Sequence, residues 1–308
     1  MKDYIINALE KEGYIGRFVG LGCLDAIKNE YNALLNSGAV FNGLKESYLS
    51  RFEFAIPPEF PEAVSVLTVA VPSPQYIIKF EYKGNVIKAP VPPTYTHYYT
   101  MHTKVMELLT GIAEGARFVK TKIPEKFLAS KSGMFFYGRN NIGYVPGLGS
   151  FFQLVSFYTN IPVGSEPFNP TIMLERCRNC YACVNSCPVD AIAKDRFLIR
   201  AEKCLTFINE NPGEISEKIK PASHNSLIGC MICQKICPEN KKAKMNIAEG
   251  AVFNGKETEI LLSARSENEL PEEVRKKLDS LELVGIQYGY NEFKRNLKLL
   301  FNNSLPAV

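Results

Sequence analysis

Eight of the nine cysteines fall between residues 177 and 237, and their spacing is that of iron–sulfur chemistry. The first group reads Cys177-x2-Cys180-x2-Cys183-x3-Cys187-Pro188. The second reads Cys230-x2-Cys233-x3-Cys237-Pro238, with Cys204 between the groups. Two-residue spacers let a tight loop wrap thiolates around one iron–sulfur cube. The x3 step then starts a helix that carries the next thiolate to a neighbouring cube. Proline after that cysteine suits a turn or a first helical position, where a missing N–H costs little. Crossed ligation of this kind assigns Cys177, Cys180, Cys183 and Cys237 to one [4Fe–4S] cluster, and Cys187, Cys204, Cys230 and Cys233 to a second. Structural zinc also uses CxxC pairs, but zinc motifs seldom run three cysteines at x2 steps into x3-Cys-Pro. The expected chemistry is one-electron transfer. Cys23 stands apart and reads as a packed thiol.

Apolar residues interleave the ligands: Tyr181, Ala182, Val184, Ile192, Ile228, Met231, Ile232 and Ile236. They would keep the clusters dry and lower their potential, or simply pack. His224, ahead of Cys230, could tune the second cluster by hydrogen bonding, or serve a turn beside Ser223 and Asn225. Lys241, Lys242 and Lys244 form either a solvated face or a docking edge for an acidic electron donor.

Several elements would position these residues. Apolar positions at three- and four-residue spacing make residues 1–50 helical. The runs 63–72, 76–82 and 85–91 read as strands, the last two joined by Lys83-Gly84, a loose fit to a hairpin turn. Helices are expected over 98–116, 125–132, 271–282 and 290–302, the third opening on Pro271 and two glutamates. From 133 to 150 the chain reads GMFFYGRNNIGYVPGLGS, which argues for backbone lying close to something.

With 308 residues, 46% apolar and 22% charged, the chain has a soluble globular profile and room for its own core without disulfides. No apolar run reaches the ~18–20 residues that cross a bilayer, and the start lacks a secretory h-region, so a cytoplasmic protein without membrane contact is expected. The formal charge of +4 is largely offset by two clusters of about −2 each, which makes it a weak argument for nucleic-acid binding.

The stretch 124–240 resembles the epoxyqueuosine reductases and, more distantly, the corrinoid reductive dehalogenases. LASKSGMFFYGRNN (128–141), the Gly149-Ser150-Phe151 turn, CRNCYACVNSCPVDAI (177–192), Cys204 with Phe207 to Glu210, and GCMICQKICPEN (229–240) carry the resemblance. It implies an α+β fold: an α/β, nitroreductase-like, corrinoid-processing domain (1–165), a ferredoxin-like double-cluster module (166–245) and short C-terminal helices (246–308). It also implies cobalamin beside the two clusters, with Tyr137, Gly138, Arg139, Asn140, Gly149 and Ser150 lining it. The implied activity is an iron–sulfur reductase that passes single electrons to the corrinoid and on to an unidentified substrate. The alternatives are a reductive activator of a corrinoid protein and an electron carrier without its own substrate.

The chain departs from the family at one place. Counting back from Gly133 puts Val119 where those reductases carry a proton-donating acid, and the C-terminal part is short. The expected substrate is accordingly a small molecule or a corrinoid protein, with a ferredoxin- or flavodoxin-type low-potential donor, and tRNA is not expected as a partner. Tyr95 and His97 are candidates to replace the missing acid, the alternative being that they pack.

Overall fold

A computed structural model describes residues 1–164, 169–283 and 288–304. The expected boundary between residues 165 and 166 lies outside the described residues. In chain order the elements are α1 (Lys2–Lys11), β1 (Ile15–Gly20), α2 (Leu24–Asn36), α3 (Asn42–Ser47), β2 (Ser65–Pro72), β3 (Gln75–Tyr82) and β4 (Asn85–Val91). Then come α4 (Tyr98–Ile112), β5 (Phe118–Lys120), α5 (Glu125–Lys131), β6 (Phe136–Tyr137), β7 (Gly143–Tyr144) and β8 (Phe152–Thr159). The remainder comprises α6 (Ala182–Ser186), α7 (Leu205–Glu210), α8 (Ile232–Lys235), β9 (Ile247–Phe253), α9 (Gly255–Ser263), α10 (Glu272–Asp279) and α11 (Tyr290–Ser304).

Two compact units divide the chain. The first takes residues 1–72, 100–181 and 195–199, and the second 73–99, 182–194 and 200–308. They interleave in sequence, whereas the reading from sequence takes three consecutive stretches. The reason is that β3 leaves β2 to pair in parallel with β9, far later in the chain.

In the first unit four strands form a sheet of order β1-β2-β8-β5, every pairing antiparallel. Side chains alternate across it. Leu67, Val69, Val71, Val155 and Phe157 meet Ile5 and Leu9 of α1 and Val105 and Leu109 of α4. Val66 and Tyr158 meet Ile27 and Tyr31 of α2 and Phe127 and Leu128 of α5. Both faces are covered, which is why β2 and β8 are buried at nearly every position, Gln153, Ser156 and Thr159 included.

In the second unit β4-β3-β9 form a sheet. Ile78, Phe80 and Phe253 pack with Leu261 of α9, Val274 and Leu278 of α10, and Phe293, Leu297 and Phe301 of α11. The architecture is α+β, as expected.

Residues 1–50 are not helical throughout, because β1 interrupts them. Gly16 permits this: a Cβ there would stand 2.6 Å from Leu9 Cδ1, so α1 can lie close over the strand. The expected helix 98–116 stops at Ile112, ahead of a turn at Gly115 (φ +78°). Lys83 and Gly84 both adopt positive φ, 48° and 77°, as a two-residue turn with right-twisting strands requires.

Candidate iron–sulfur site

Cys177 and Cys180 belong to the first unit and the other six motif cysteines to the second. None of the nine cysteines is in a disulfide. In the second unit α6 carries Cys183, α8 carries Cys233, and the two helices pack on each other. Cys204 stands at the N-cap position of α7, and Cys237 at that of the short 3-10 turn Pro238–Asn240, in the same backbone conformation (φ −66°, ψ 127°). Pro238 thus fills a first helical position, as its missing N–H allows.

Three of the four cysteines assigned to the second cluster are electrostatic neighbours. Burial pushes the Cys204 thiol up, and the Cys230 sulfur adds to the rise. Burial likewise raises Cys230, with Cys187 adding to it and the Asn225 amide opposing. N–H groups point at these sulfurs. Ala191 N–H donates to Cys187 Sγ at 3.3 Å, and Asn225 Nδ2 donates to Cys230 Sγ at 3.2 Å while its Oδ1 accepts Met231 N–H at 2.9 Å. Neighbouring half-buried thiolates repel unless a positive iron core sits among them, and N–H donors favour anionic sulfur. The residues fit a [4Fe–4S] cluster. Among the described residues no group of three or more His, Cys, Asp or Glu converges to hold a single metal ion. A cube's ligands have no need to, since each binds a different iron.

Asn225 was not anticipated from sequence; its signal was its place just ahead of the second group. His224 takes the turn role instead, its N–H donating to Pro221 O at 2.9 Å. Ile228 and Met231 are fully buried and Ile192 nearly so, but Ile236 is 48% exposed and so does not shield a cluster.

The two candidate proton carriers face different ways. Tyr95 donates its OH to Glu210 Oε1 at 2.6 Å. Burial raises Glu210 to about 7 against that bond, and burial first, then Glu210, holds the Tyr95 phenol well above its ordinary value. The Tyr95 ring also fills the space over Gly229, where a Cβ would stand 3.1 Å from Tyr95 Cζ and the backbone is left-handed (φ +69°). His97 donates its N–H to Leu281 O at 3.2 Å, and its ring lies 5.1 Å from that of Tyr76.

The glycine-rich segment lies in the first unit, and most of its polar groups serve the protein. Tyr137 N–H donates to Ile172 O at 2.9 Å. Arg139 Nη2 donates to Cys177 O at 2.5 Å, with the guanidinium 4.6 Å over the Tyr181 ring. Asn140 Nδ2 donates to Tyr144 OH at 2.9 Å. Gly149 (φ +60°) bridges to Val145, and Ser150 is buried. A Cβ on Gly138 would stand 2.5 Å from Asn140 Oδ1 and 2.6 Å from Tyr144 Cε2. Gly138 is therefore demanded by the chain's own packing. Gly138→Ala should lower the thermal midpoint through overpacking worth about 1–3 kcal/mol. An unchanged midpoint in calorimetry would mean the glycine faces open space.

Sequence reasoning also missed a buried polar group in the first unit. Burial raises Glu125, the first residue of α5, to about 8, against the lowering effects of the Lys120 ammonium and the Ser156 N–H. Burial, helped by Lys120, takes His102 down to about 3. His102 Nε2 lies 3.7 Å from Glu125 Oε1, too far for a hydrogen bond. At neutral pH both are uncharged, so this contact is not an ion pair.

Residues 176–240 match the 4Fe-4S double cluster binding domain family, so the module carries two [4Fe–4S] clusters. An epoxyqueuosine reductase from Staphylococcus aureus is 28% identical over 158 residues, which cover 47% of this chain and 39% of that protein. The chain thus spans well under half the length of that relative. The solved epoxyqueuosine reductase with a tRNA-Tyr epoxyqueuosine-modified stem loop shares the fold at TM-score 0.65 and 20% identity, over 98% of this chain and 81% of that one. The resemblance drawn from the motifs is borne out. The expectation about tRNA is not: a protein of this fold is solved with a tRNA stem loop. That expectation leaned on Val119 and a short C-terminal part, and a side chain missing from a proton-donating position says nothing about RNA binding. Among the described residues no helix is long and apolar enough to cross a membrane.

Proposed function

We propose that this chain is an iron–sulfur reductase of the epoxyqueuosine reductase type, passing single electrons through its two clusters to a bound corrinoid and on to epoxyqueuosine in tRNA. The observation that carries the redox part is that Cys187, Cys204 and Cys230 are half-buried neighbours with N–H groups on their sulfurs. The names of the similar proteins supply the substrate class. A corrinoid, when bound, supplies a cobalt centre that accepts single electrons. Its candidate lining remains Tyr137, Gly138, Arg139, Asn140, Gly149 and Ser150. Because Arg139 and Asn140 are already bonded within the unit, the segment suits contact through backbone edges better than through those side chains. Tyr95 is the candidate proton source, backed by Glu210, which near neutral pH can return a proton to it. His97, turned to Tyr76, is assigned no proton.

The test is anaerobic turnover. Cluster-replete protein, a strong chemical reductant and hydroxocobalamin should remove the epoxide oxygen from epoxyqueuosine-bearing tRNA, and omission of cobalamin should abolish the reaction. No cobalamin uptake in calorimetry would remove the corrinoid step. Uptake without turnover would remove the substrate assignment and leave the redox one.

A further inference from the structure

We propose that the C-terminal helix α11 is a positioning element of the second cluster, acting through Arg295 and Asn296 on Cys204 and on the loop of Cys230. This rests on Cys187, Cys204, Cys230 and Cys233 being the ligands of one cluster. Helix α7 is only six residues long, and Cys204 stands at its N-cap position. Two of its C-terminal carbonyls, left without helical partners, and two more just beyond the helix accept from one guanidinium. Arg295 Nη2 donates to Ile208 O at 2.9 Å and Asn209 O at 3.1 Å, and Nη1 to Asn211 O at 3.0 Å and Gly213 O at 2.6 Å. Asn296, 1% exposed, donates Nδ2 to Asn209 O at 2.9 Å. Asn209, itself fully buried, donates Nδ2 to Gly229 O at 2.8 Å, and Gly229 immediately precedes Cys230.

Hydrogen bonds thus lead from α11 to the carbonyl beside Cys230, and through Ile208, whose N–H donates to Cys204 O at 3.0 Å, to the backbone of a second ligand. At the far end of the helix Asn303 Nδ2 donates to Pro221 O at 2.5 Å, holding the turn that leads into Asn225. Asn225 in turn bonds Cys230 Sγ at 3.2 Å. Both routes converge on Cys230, the first at the carbonyl just ahead of it and the second at its sulfur. The arrangement needs arginine, because only a planar fork of donors can serve four carbonyls in fixed geometry, whereas lysine presents all its donors from one atom.

The experiment compares Arg295→Gln, Arg295→Lys and Leu297→Ala in anaerobically reconstituted full-length protein. Iron content, paramagnetic resonance and redox titration are read for each. Leu297 is fully buried on the same helix, so its truncation opens a cavity without touching the bonds to residues 208–213. Arg295→Gln is expected to shift or lose the signal that Cys204→Ser loses, with iron falling toward about four per chain, while the signal lost in Cys180→Ser stays in place. Arg295→Lys should fall between it and wild type. Leu297→Ala should lower the thermal midpoint and leave both cluster signals unmoved. The proposal is overturned if Arg295→Gln leaves both signals as in wild type, or if Leu297→Ala reproduces its shift. Wild-type protein that takes up no iron would instead overturn the cluster reading on which this one rests.

Discussion

Cys204→Ser should cost the protein one of its two clusters, taking iron and labile sulfide from about eight to about four per chain. The expectation is large because a serine hydroxyl is a far poorer ligand to iron than a thiolate, and a cube left with three thiolates has an open iron that is readily lost. Cys204 is the informative cysteine to change, since no CxxC pair contains it. Its only local neighbours are a 3-10 turn and the first residues of α7. The structure brings it beside Cys230, which in turn neighbours Cys187. Paramagnetic resonance of the reduced variant should therefore lose the same signal as Cys233→Ser and keep the other. Crossed ligation adds a sharper comparison. Cys237→Ser should match Cys180→Ser, although Cys237 stands four residues after Cys233 in the sequence. If Cys204→Ser retained the full iron complement, or Cys237→Ser lost the signal that Cys233→Ser loses, the ligand assignment would have to be redrawn.

How far the sequence could be read follows from how local each feature is. Cysteine spacing is local, because a cube a few ångströms across is wrapped by a few residues, so the double-cluster module was legible. The hairpin of β3 and β4 was legible for the same reason, its turn forming from adjacent residues. Strand β1 was not, since a short run between two helical patterns breaks no period until it pairs with β2. Strand β9 was missed because all of it but Phe253 is exposed or half-exposed and its partner β3 is remote in sequence. Gly138 was read as a site of approach to a cofactor, while the structure gives it a nearer reason in Asn140 and Tyr144. Arg295 carried no signal at all: an arginine on an amphipathic helix looks solvated until the carbonyls of residues 208–213 are found around it. Likewise, nothing local distinguishes Glu125 from an ordinary glutamate at a helix start. Its abnormal proton affinity comes from burial, which only the tertiary fold supplies.

Glu125→Gln should remove a loss of stability that the wild-type protein shows between about pH 6.5 and 8. A carboxyl held at about 8 in the folded chain, against an ordinary value of 4.5, keeps a proton that the unfolded chain releases. The associated stability is complete below 4.5 and is lost as pH rises through 8. His102 works in the opposite sense, because its folded value of about 3 makes stability fall as pH drops from 6.5 toward 3. Between 4.5 and 6.5 the two slopes oppose each other, and above 6.5 the Glu125 slope stands alone of this pair. Lys120, the charged group facing both, is itself shifted down by burial and moderates the rise at Glu125. Glu210, raised to about 7, adds a fall of its own in the lower part of this window, equally in wild type and variant. At about 1.4 kcal/mol per pH unit for one proton, the difference between the two proteins should grow by about 2 kcal/mol across the window. The Glu125 side chain is 22% exposed, so solvent trims that figure without reversing its sign. Thermal midpoints at one fixed scan rate give the direction of the difference, and denaturant midpoints under reversible conditions its size. A protonated-carboxyl infrared band present in wild type at pH 7 and absent from Glu125→Gln would identify the group directly. Parallel midpoint curves for the two proteins would place the proton elsewhere. The position at Val119, where the resemblance implies an acid, thus holds none, while a carboxyl that stays neutral at physiological pH begins the next helix of the same unit.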